Sequence, residues 1–398
     1  MRPFAVGAVA AFFLIASGVS AETRTVGPED DWRGVINRAE PGDEIVLLPE
    51  RYTEPLTVRV SGTADAPVII RGSSMEEGSR STLGYTGTTS NVVDIADGTA
   101  FVVLRGLHWD ATADNVDAIK MRQGHDITIE GCLFERIGGI SISANSGDVR
   151  NITVRDNVFR NLEATGLYFG RHDGKGCHAT DILIERNLIH RVRSSEVGYG
   201  MEIKLNSWAI IRDNAVYDTK GPGIMVYGSD RGDPPSVIEG NYVAGSVNDG
   251  ALVVGGGPAI VRNNVAVGGR SGGIVAQDYQ RRGLMRDVWI IHNTVLENPA
   301  PAIRVQSFNE GAGNVIAFNA LVPSPRGEAI YPPAPLGTVT GNVICTEPGS
   351  CFLNPTREPF DLRPVMGGRL VGAAGGGEEV WRPEVDFMGV PRGDVADV

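Results

Sequence analysis

Asparagine recurs in this chain at a spacing that few folds accommodate. The segments ITVRDN, ILIERN, AIIRDN, SVIEGN, AIVRNN, VWIIHN, NVIAFN and GTVTGN end in Asn157, Asn187, Asn214, Asn241, Asn264, Asn293, Asn319 and Asn342, 23 to 30 residues apart. Cys132 holds the same place one repeat earlier. A period of this length means stacked units, each burying an apolar face on the next. A second column fills the later half of each repeat, where Gly or Ala precedes an alternating stretch: AIKMRQ, GISISA, GLYFGR, GMEIKL, GIMVYG, ALVVGG, GIVAQD and AIRVQS. Period two marks strands with one face inward. The inward positions are aliphatic (Ile140 and Ile142, Met201 and Ile203, Ile224 and Val226, Ile303 and Val305), so stacked rungs build one continuous core. Asparagine tolerates the left-handed conformation that a sharp corner needs, and its amide can bond to the Asn about 4.8 Å above. The expected fold is all-β: a single-stranded right-handed parallel β-helix, a solenoid with an Asn ladder.

Length alone would allow two or more domains in 398 residues, but the unbroken repeat argues for one elongated solenoid. Glycine at 52 and proline at 23 suit a chain that turns several times per rung. One helix is expected: after Pro28 and Asp30, the residues Trp32, Val35, Ile36 and Ala39 fall on one helical face, and Pro41-Gly42-Asp43 stops it. Placed at the first rung, this N-terminal helix caps the core and the open sheet edge. Residues 73–100 read as an irregular polar excursion before VVLRGLHWD restarts the rungs.

Residues 1–21 carry one Arg, an apolar run from Val6 to Ala16 and the small residues Val19 and Ala21, the layout of a cleavable signal peptide. The mature chain is expected to be exported, periplasmic or secreted, and no later segment is apolar enough to span a membrane. Losing Arg2 takes the net charge from −12 to −13, which disfavours nucleic acid as a partner. Export permits oxidation, so Cys345 and Cys351, flanking a Pro-Gly turn in CTEPGSC, are expected to form a disulfide. The division is then signal peptide 1–21, β-helix with its cap 22–355, and an irregular tail 356–398 that closes the last rung. The chain is expected to act as a monomer.

The segment AEPGDEIVLLPERYTEPLTVRVSGTADAPVIIRG resembles the opening of chondroitinase B, the alginate lyases and related polysaccharide lyases of the pectate lyase-like superfamily. There a helix is followed by Pro-Gly-Asp, a strand, a Gly-Xaa-Tyr turn, and Gly-Thr before Pro-Ile-Thr-Ile; here Glu50-Arg51-Tyr52 stands where Gly is usual. The resemblance covers about Trp32 to Gly72 well and the rest only through the generic repeat. It implies an acidic polysaccharide as partner. It also matches Lys204, in MEIKLNS before IIRDN, to the family's lysine base. The family's paired arginine belongs one rung later, where this chain has Tyr227 and Gly228, with Arg231 a few residues on. The family's calcium-binding acid falls on Tyr199, with Glu202 and Glu196 nearby, so calcium is left open and Glu202 is the metal-ligand candidate.

Two repeats are longer than their neighbours, by RHDGKGCHATD and DYQRRGLMRD, and both insertions follow the strand column, hence flank one face. Outward residues on that face are Lys120 and Arg122, Ser141 and Ser143, Tyr168 with Arg171 and His172, then Glu202, Lys204 and Asn206, then Met225 and Tyr227, and later Gln277, Asp278 and Tyr279, Arg304 and Gln306. They predict an exposed, cationic sheet centred on Lys204. Cutting a uronate polymer by β-elimination needs a cation on the carboxylate, a base for the proton on carbon 5 and an acid for the oxygen on carbon 4. The expected roles are Lys204 as base, its pKa lowered by the nearby cations, Arg171 as carboxylate clamp, and Tyr227 or His172 as acid, with Lys120, Arg122, Tyr168, Asn206, Arg231, Tyr279 and Arg304 binding substrate. A uronate C5-epimerase would use nearly the same residues. A glycoside hydrolase needs two carboxyl groups about 5 to 9.5 Å apart, whereas Glu202 and Asp278 sit three rungs, roughly 14 Å, apart. A non-catalytic carbohydrate-binding solenoid would show a row of exposed aromatics, and Tyr168, Tyr227 and Tyr279 are the candidates.

Overall fold

In the computed structural model, described for residues 21–193, 198–278, 285–306, 308, 312–356, 361–374 and 383–392, the chain passes in each rung through three sheets in a fixed order. Sheet one, of 13 strands, runs from Thr23–Val26 to Thr338–Thr340 and holds the strand before each ladder position. Sheet two, of 12 strands, follows it from Arg51–Tyr52 to Val343–Ile344, and sheet three, of 11 strands, from Leu56–Val58 to Ile330–Tyr331. Each strand pairs in parallel with its equivalent in the next rung, as Ile182 with Ala209 in sheet one, Leu188 with Ala215 in sheet two and Met201 with Ile224 in sheet three. The chain is a right-handed parallel β-helix.

The core follows from that register, because a side chain that points inward in one rung lies over its counterpart in the next. Ile129, Val154, Ile184, Ile211, Ile238, Val261, Ile290 and Ile316 form one such column, all fully buried. In sheet two Trp109, Phe134 and Phe159 stack with ring centroids 4.7 and 4.5 Å apart. The Gly or Ala that opens each sheet-three strand is set by close approach. A Cβ on Gly200 would lie 2.4 Å from the Gly223 carbonyl oxygen and 2.6 Å from the Val216 side chain.

The ladder runs unbroken from Cys132 to Asn342. The backbone N–H and the side-chain amide of Asn187 both donate to Oδ1 of Asn214, at 2.9 and 3.0 Å, and Asn214 treats Asn241 in the same way. Each amide also donates to a sheet-one carbonyl, that of Ile184 in the case of Asn214. The left-handed residue is not the ladder asparagine but the one before it: Asp156, Arg186, Asp213 and His292 have φ between 52° and 56°. Once the asparagine amide is committed to the rungs on either side, the reversal falls on its neighbour.

The N-terminal helix spans Trp32–Asn37, ending short of Ala39, and Asp31 caps it by accepting from the Gly34 N–H; Asp30 instead binds the Gly27 N–H. Trp32 and Ile36 are buried in the main core, Trp32 edge-on to Tyr52 at 5.1 Å. Residues 73–100 are no excursion. They contribute Thr82–Leu83 to sheet two and Val93–Ile95 to sheet three, strands too short to show a period between polar loops.

The outer face of sheet one carries a charge column with no counterpart in the sequence reading. Arg105, Glu130, Arg155, Glu185, Arg212, Glu239 and Arg262 occupy one register position in successive rungs. Glu130 lies 2.5 Å from Arg105 and 2.6 Å from Arg155, and Glu185 2.7 Å from Arg212. Burial pushes both carboxyls up, but their arginine hydrogen bonds outweigh it and hold them below the usual carboxylate range. Groups whose folded pKa is depressed stabilise the fold above the unfolded value, about 4.3, and lose that contribution as pH falls from there through the folded value. Stability to urea is therefore expected to fall below about pH 4, and less steeply in Glu130→Gln; an unchanged slope in that variant would remove the column from the acid response.

Cys345 and Cys351 form the disulfide, with Cα atoms 6.1 Å apart, while Cys132 and Cys177 are free and buried. Burial pushes the Cys132 thiol up to about 12. Beyond the disulfide, Phe352–Asn354 pairs antiparallel with Asp361–Pro364. The tail then returns to a rung well before the last, where Asn263 donates to the Val385 carbonyl at 2.6 Å and accepts from Arg392 at 2.9 Å. No helix among the described residues is long and apolar enough to cross a membrane.

Candidate functional site

Sheet three brings the outward residues into one row: Asp94, Lys120, Ser143, Tyr168, Glu202, Met225, Val253, Val275 and Arg304. In Met201–Ile203 the alternation sends Met201 and Ile203 into the core and Glu202 outward, and Lys204 follows it outward at the strand end. The row was expected to be exposed, yet Glu202, Lys204 and Tyr227 are only 1%, 3% and 1% exposed. They are bonded to one another. Lys204 Nζ lies 2.5 Å from Glu202 Oε1 and 3.4 Å from the Tyr227 hydroxyl, which itself donates to Glu202 Oε1 at 3.0 Å. The ammonium also sits over two rings, 4.5 Å from the centroid of Tyr227 and 4.8 Å from that of Tyr168. Gly170 leaves the space: a Cβ there would come within 2.4 Å of the Ser207 hydroxyl and 3.1 Å of Lys204 Cβ.

Among the described residues, the charged group that touches Lys204 is a carboxylate and not the expected cation. Arg171 is exposed and pairs with Asp173 at 3.4 Å, and His172 is exposed next to it. Asn206, read as a substrate ligand, spends its amide on the protein. Its nitrogen donates to the Gly174 carbonyl at 3.2 Å and its oxygen accepts from the Asp230 N–H at 3.0 Å, so it ties together the two loops that follow sheet three. Arg231 stands apart, with Asp148, Arg150, His125 and His178, in a cleft of about 610 Å³ at the corner between sheets three and one. Arg304 lies on the far side of Val253 and Val275 from Lys204. Tyr279 and Glu196 lie outside the described residues, as do residues 1–20, where the signal peptide is expected.

On the near side, Arg122 pairs with Asp94 at 2.7 Å, and Lys120 lies 3.7 Å from Asp117 and bonds to Asn145. Burial pulls the Lys120 ammonium below its usual value, and Asp117 opposes it. Asp117 also accepts from the Ser143 hydroxyl at 2.5 Å and the Ile140 N–H at 2.9 Å. Asp94, Asp117 and Asn145 were not singled out in the sequence. The available signal was Asp94, which falls in register with Lys120 once NVVDIAD and VDAIKMR are aligned as successive rungs.

The family model described as right handed beta helix region matches residues 175–331. Among solved structures, the A-module of mannuronan C-5 epimerase AlgE4 from Azotobacter vinelandii is similar at 19% identity and a TM-score of 0.58, over 76% of this chain and 87% of that one. An alginate lyase from Paenibacillus sp. str. FPU-7 is similar at 17% identity and 0.55, over 80% and 97%. What the chain shares with them is the right-handed parallel β-helix fold. A lacto-N-biosidase of Eubacterium ramulus is also similar, at 11% and 0.54 over 81% of this chain and 68% of that one. An epimerase, a lyase and a glycosidase thus share this fold, which leaves the chemistry to the side chains. No curated protein matches the sequence.

The side chains do not fit the calcium site that the family comparison raised. Tyr199, at the position of the family's acid, packs in an apolar cluster with Leu205, Met225 and Tyr227, and Oε1 of Glu202 holds the Lys204 ammonium.

Proposed function

We propose that the protein is an exported lyase that cleaves an acidic, uronate-containing polysaccharide by β-elimination at Lys204. The observation that carries this reading is the Lys204–Glu202–Tyr227 group. Two charges held out of water beside aliphatic neighbours are a poor way to gain stability, since apolar residues of the same volume do as well or better. Interlocked titratable side chains are instead what proton transfer requires. At 2.5 Å, Lys204 can pass a proton to Glu202, and the neutral amine then takes the proton from carbon 5. The carbon 5–hydrogen pair becomes the carbon 4–carbon 5 double bond, the carbon 4–oxygen bond breaks, and the departing oxygen takes the Tyr227 hydroxyl proton. Proton return from Lys204 to Tyr227 across 3.4 Å restores the site, and neither water nor an oxidant is consumed. Lys120 and Arg122 supply cations along the row, and Arg171, exposed one residue beyond Gly170, exchanges Asp173 for the reacting carboxylate to act as its clamp; His172 is the alternative acid. Substrate reaches Lys204 past the half-buried Tyr168 ring.

Incubation of the mature protein with alginate, pectate, glucuronan and glycosaminoglycans is expected to give, on one of them, products that absorb in the near ultraviolet through the new double bond. Altered uronate stereochemistry without chain cleavage would instead make it an epimerase, saturated ends a hydrolase, and binding without turnover a carbohydrate-binding solenoid.

A further inference from the structure

The insertion RHDGKGCHATD leaves sheet three at Arg171, one residue after the Gly170 that abuts Lys204. It re-enters the solenoid at His178, in the cleft of about 610 Å³ at the corner between sheets three and one. Arg231 reaches the same cleft from the loop two rungs on. Asn206, in the rung between, holds the two loops together through Gly174 and Asp230. The floor is an outward column of sheet one in which His125, Arg150 and Thr180 stand in register in successive rungs, about 4.8 Å apart. Two imidazoles of the cleft are held by the protein. His125 Nδ1 lies 2.5 Å from Asp126 Oδ2, with its ring edge-on to Phe101 at 5.5 Å. Asp148 accepts the His178 N–H at 2.8 Å and lies 3.4 Å from its Nδ1.

Arg150 and Arg231 are exposed and, among the described residues, neither is in an ion pair, whereas Arg155 and Arg212 on the outer face of sheet one are bound to Glu130 and Glu185. In a chain of net charge −12, two guanidinium groups brought into one cleft from different loops favour an anion there. Asp97 and Asp148 line the same cleft and select among anions. A densely charged polymer such as nucleic acid would meet them as like charges. A uronate ring carries one carboxylate and several hydroxyls, so it can give the carboxylate to an arginine fork and donate hydroxyl protons to the aspartates. We infer that this cleft is a second, non-catalytic binding site for an acidic polysaccharide, with Arg150 and Arg231 taking carboxylates and Asp97 and Asp148 taking ring hydroxyls. The cleft takes the same class of polymer as the Lys204 group and shares no residue with it, so the two can fail separately.

The test is retardation of the mature protein in native gels cast with alginate, pectate, glucuronan, a glycosaminoglycan, dextran sulfate or a neutral glucan. One uronate polymer is expected to retard the wild type. Arg150→Glu, at an exposed position, should weaken that apparent affinity about 10-fold at an unchanged melting temperature, the scale of one charge-assisted contact, and Arg150→Lys should keep most of it. Equal retardation of wild type and Arg150→Glu, or no retardation by any acidic polymer, would overturn the site. Retardation by dextran sulfate alone, or by the neutral glucan to the same degree, would overturn the uronate as its ligand. Unsaturated product from a polymer whose retardation ignores Arg150 would leave the lyase reading standing and remove the cleft. Retardation that depends on Arg150, with no unsaturated product from any polymer, would do the reverse.

Discussion

Lys204→Met is expected to reduce turnover by at least ~10²-fold, the scale on which a positioned proton-transfer group contributes, and to destabilise the fold by about 3–5 kcal/mol. The two effects have different origins, and a second substitution separates them. Methionine keeps most of the lysine volume but removes the ammonium that the Glu202 carboxylate, 1% exposed, holds at 2.5 Å. A buried charge stripped of its partner accounts for the loss of stability. Adding Glu202→Gln removes that charge, so the double variant should recover most of the melting temperature and none of the activity. Thermal unfolding and the absorbance assay on both proteins check this. Activity above a tenth of wild type in either variant would take Lys204 out of the chemistry. A single variant as stable as wild type would show that the pair is not held out of water.

The period of the asparagines made the fold legible because hydrogen-bond register, once set at one corner, propagates to every rung. That logic located the strand column, the inward aliphatic positions and the outward row containing Glu202, Lys204 and Tyr227. It failed on solvent exposure. Outward from a sheet means exposed only if nothing lies above it, and whether Met225, Val253 and Val275 are covered depends on contacts between loops that follow no period. The same gap led Arg171 to be placed beside Lys204, when its partner is Asp173 two residues on, and led Asn206 to be read as a ligand for sugar when both ends of its amide are used by loops. The Arg–Glu column of sheet one was visible in principle, since RDN, ERN, RDN, EGN and RNN already alternate in sign before the ladder.

Asn214→Ala should be among the most damaging single changes in the solenoid, at about 3 kcal/mol or more, because its side chain serves three rungs at once. Its Oδ1 accepts both the backbone N–H and the amide of Asn187, and its own amide donates to Ile184 in the rung before, to Arg212 within its own corner and to Asn241 in the rung after. Alanine removes all of these and leaves the Asn187 N–H and the Ile184 carbonyl without their partners in a corner where the ladder residues are 2% exposed or less. Each buried group so stranded costs about 1–3 kcal/mol, and the vacated volume adds to it. Asn214→Asp separates the acceptor from the donor role: it keeps an oxygen for Asn187 but turns three donations, to Ile184, Arg212 and Asn241, into oxygen facing oxygen, so it should be no milder than alanine. Because a solenoid is held by contacts between nearest rungs, the loss should also appear locally, as faster amide hydrogen exchange in strands Ala179–Glu185 and Ser236–Glu239 on either side. Lys204 stands ten residues before this corner on another sheet, so turnover measured well below the melting temperature should stay near wild type. Activity lost with the melting temperature unchanged would mean that the asparagine column serves the chemistry and not the stacking.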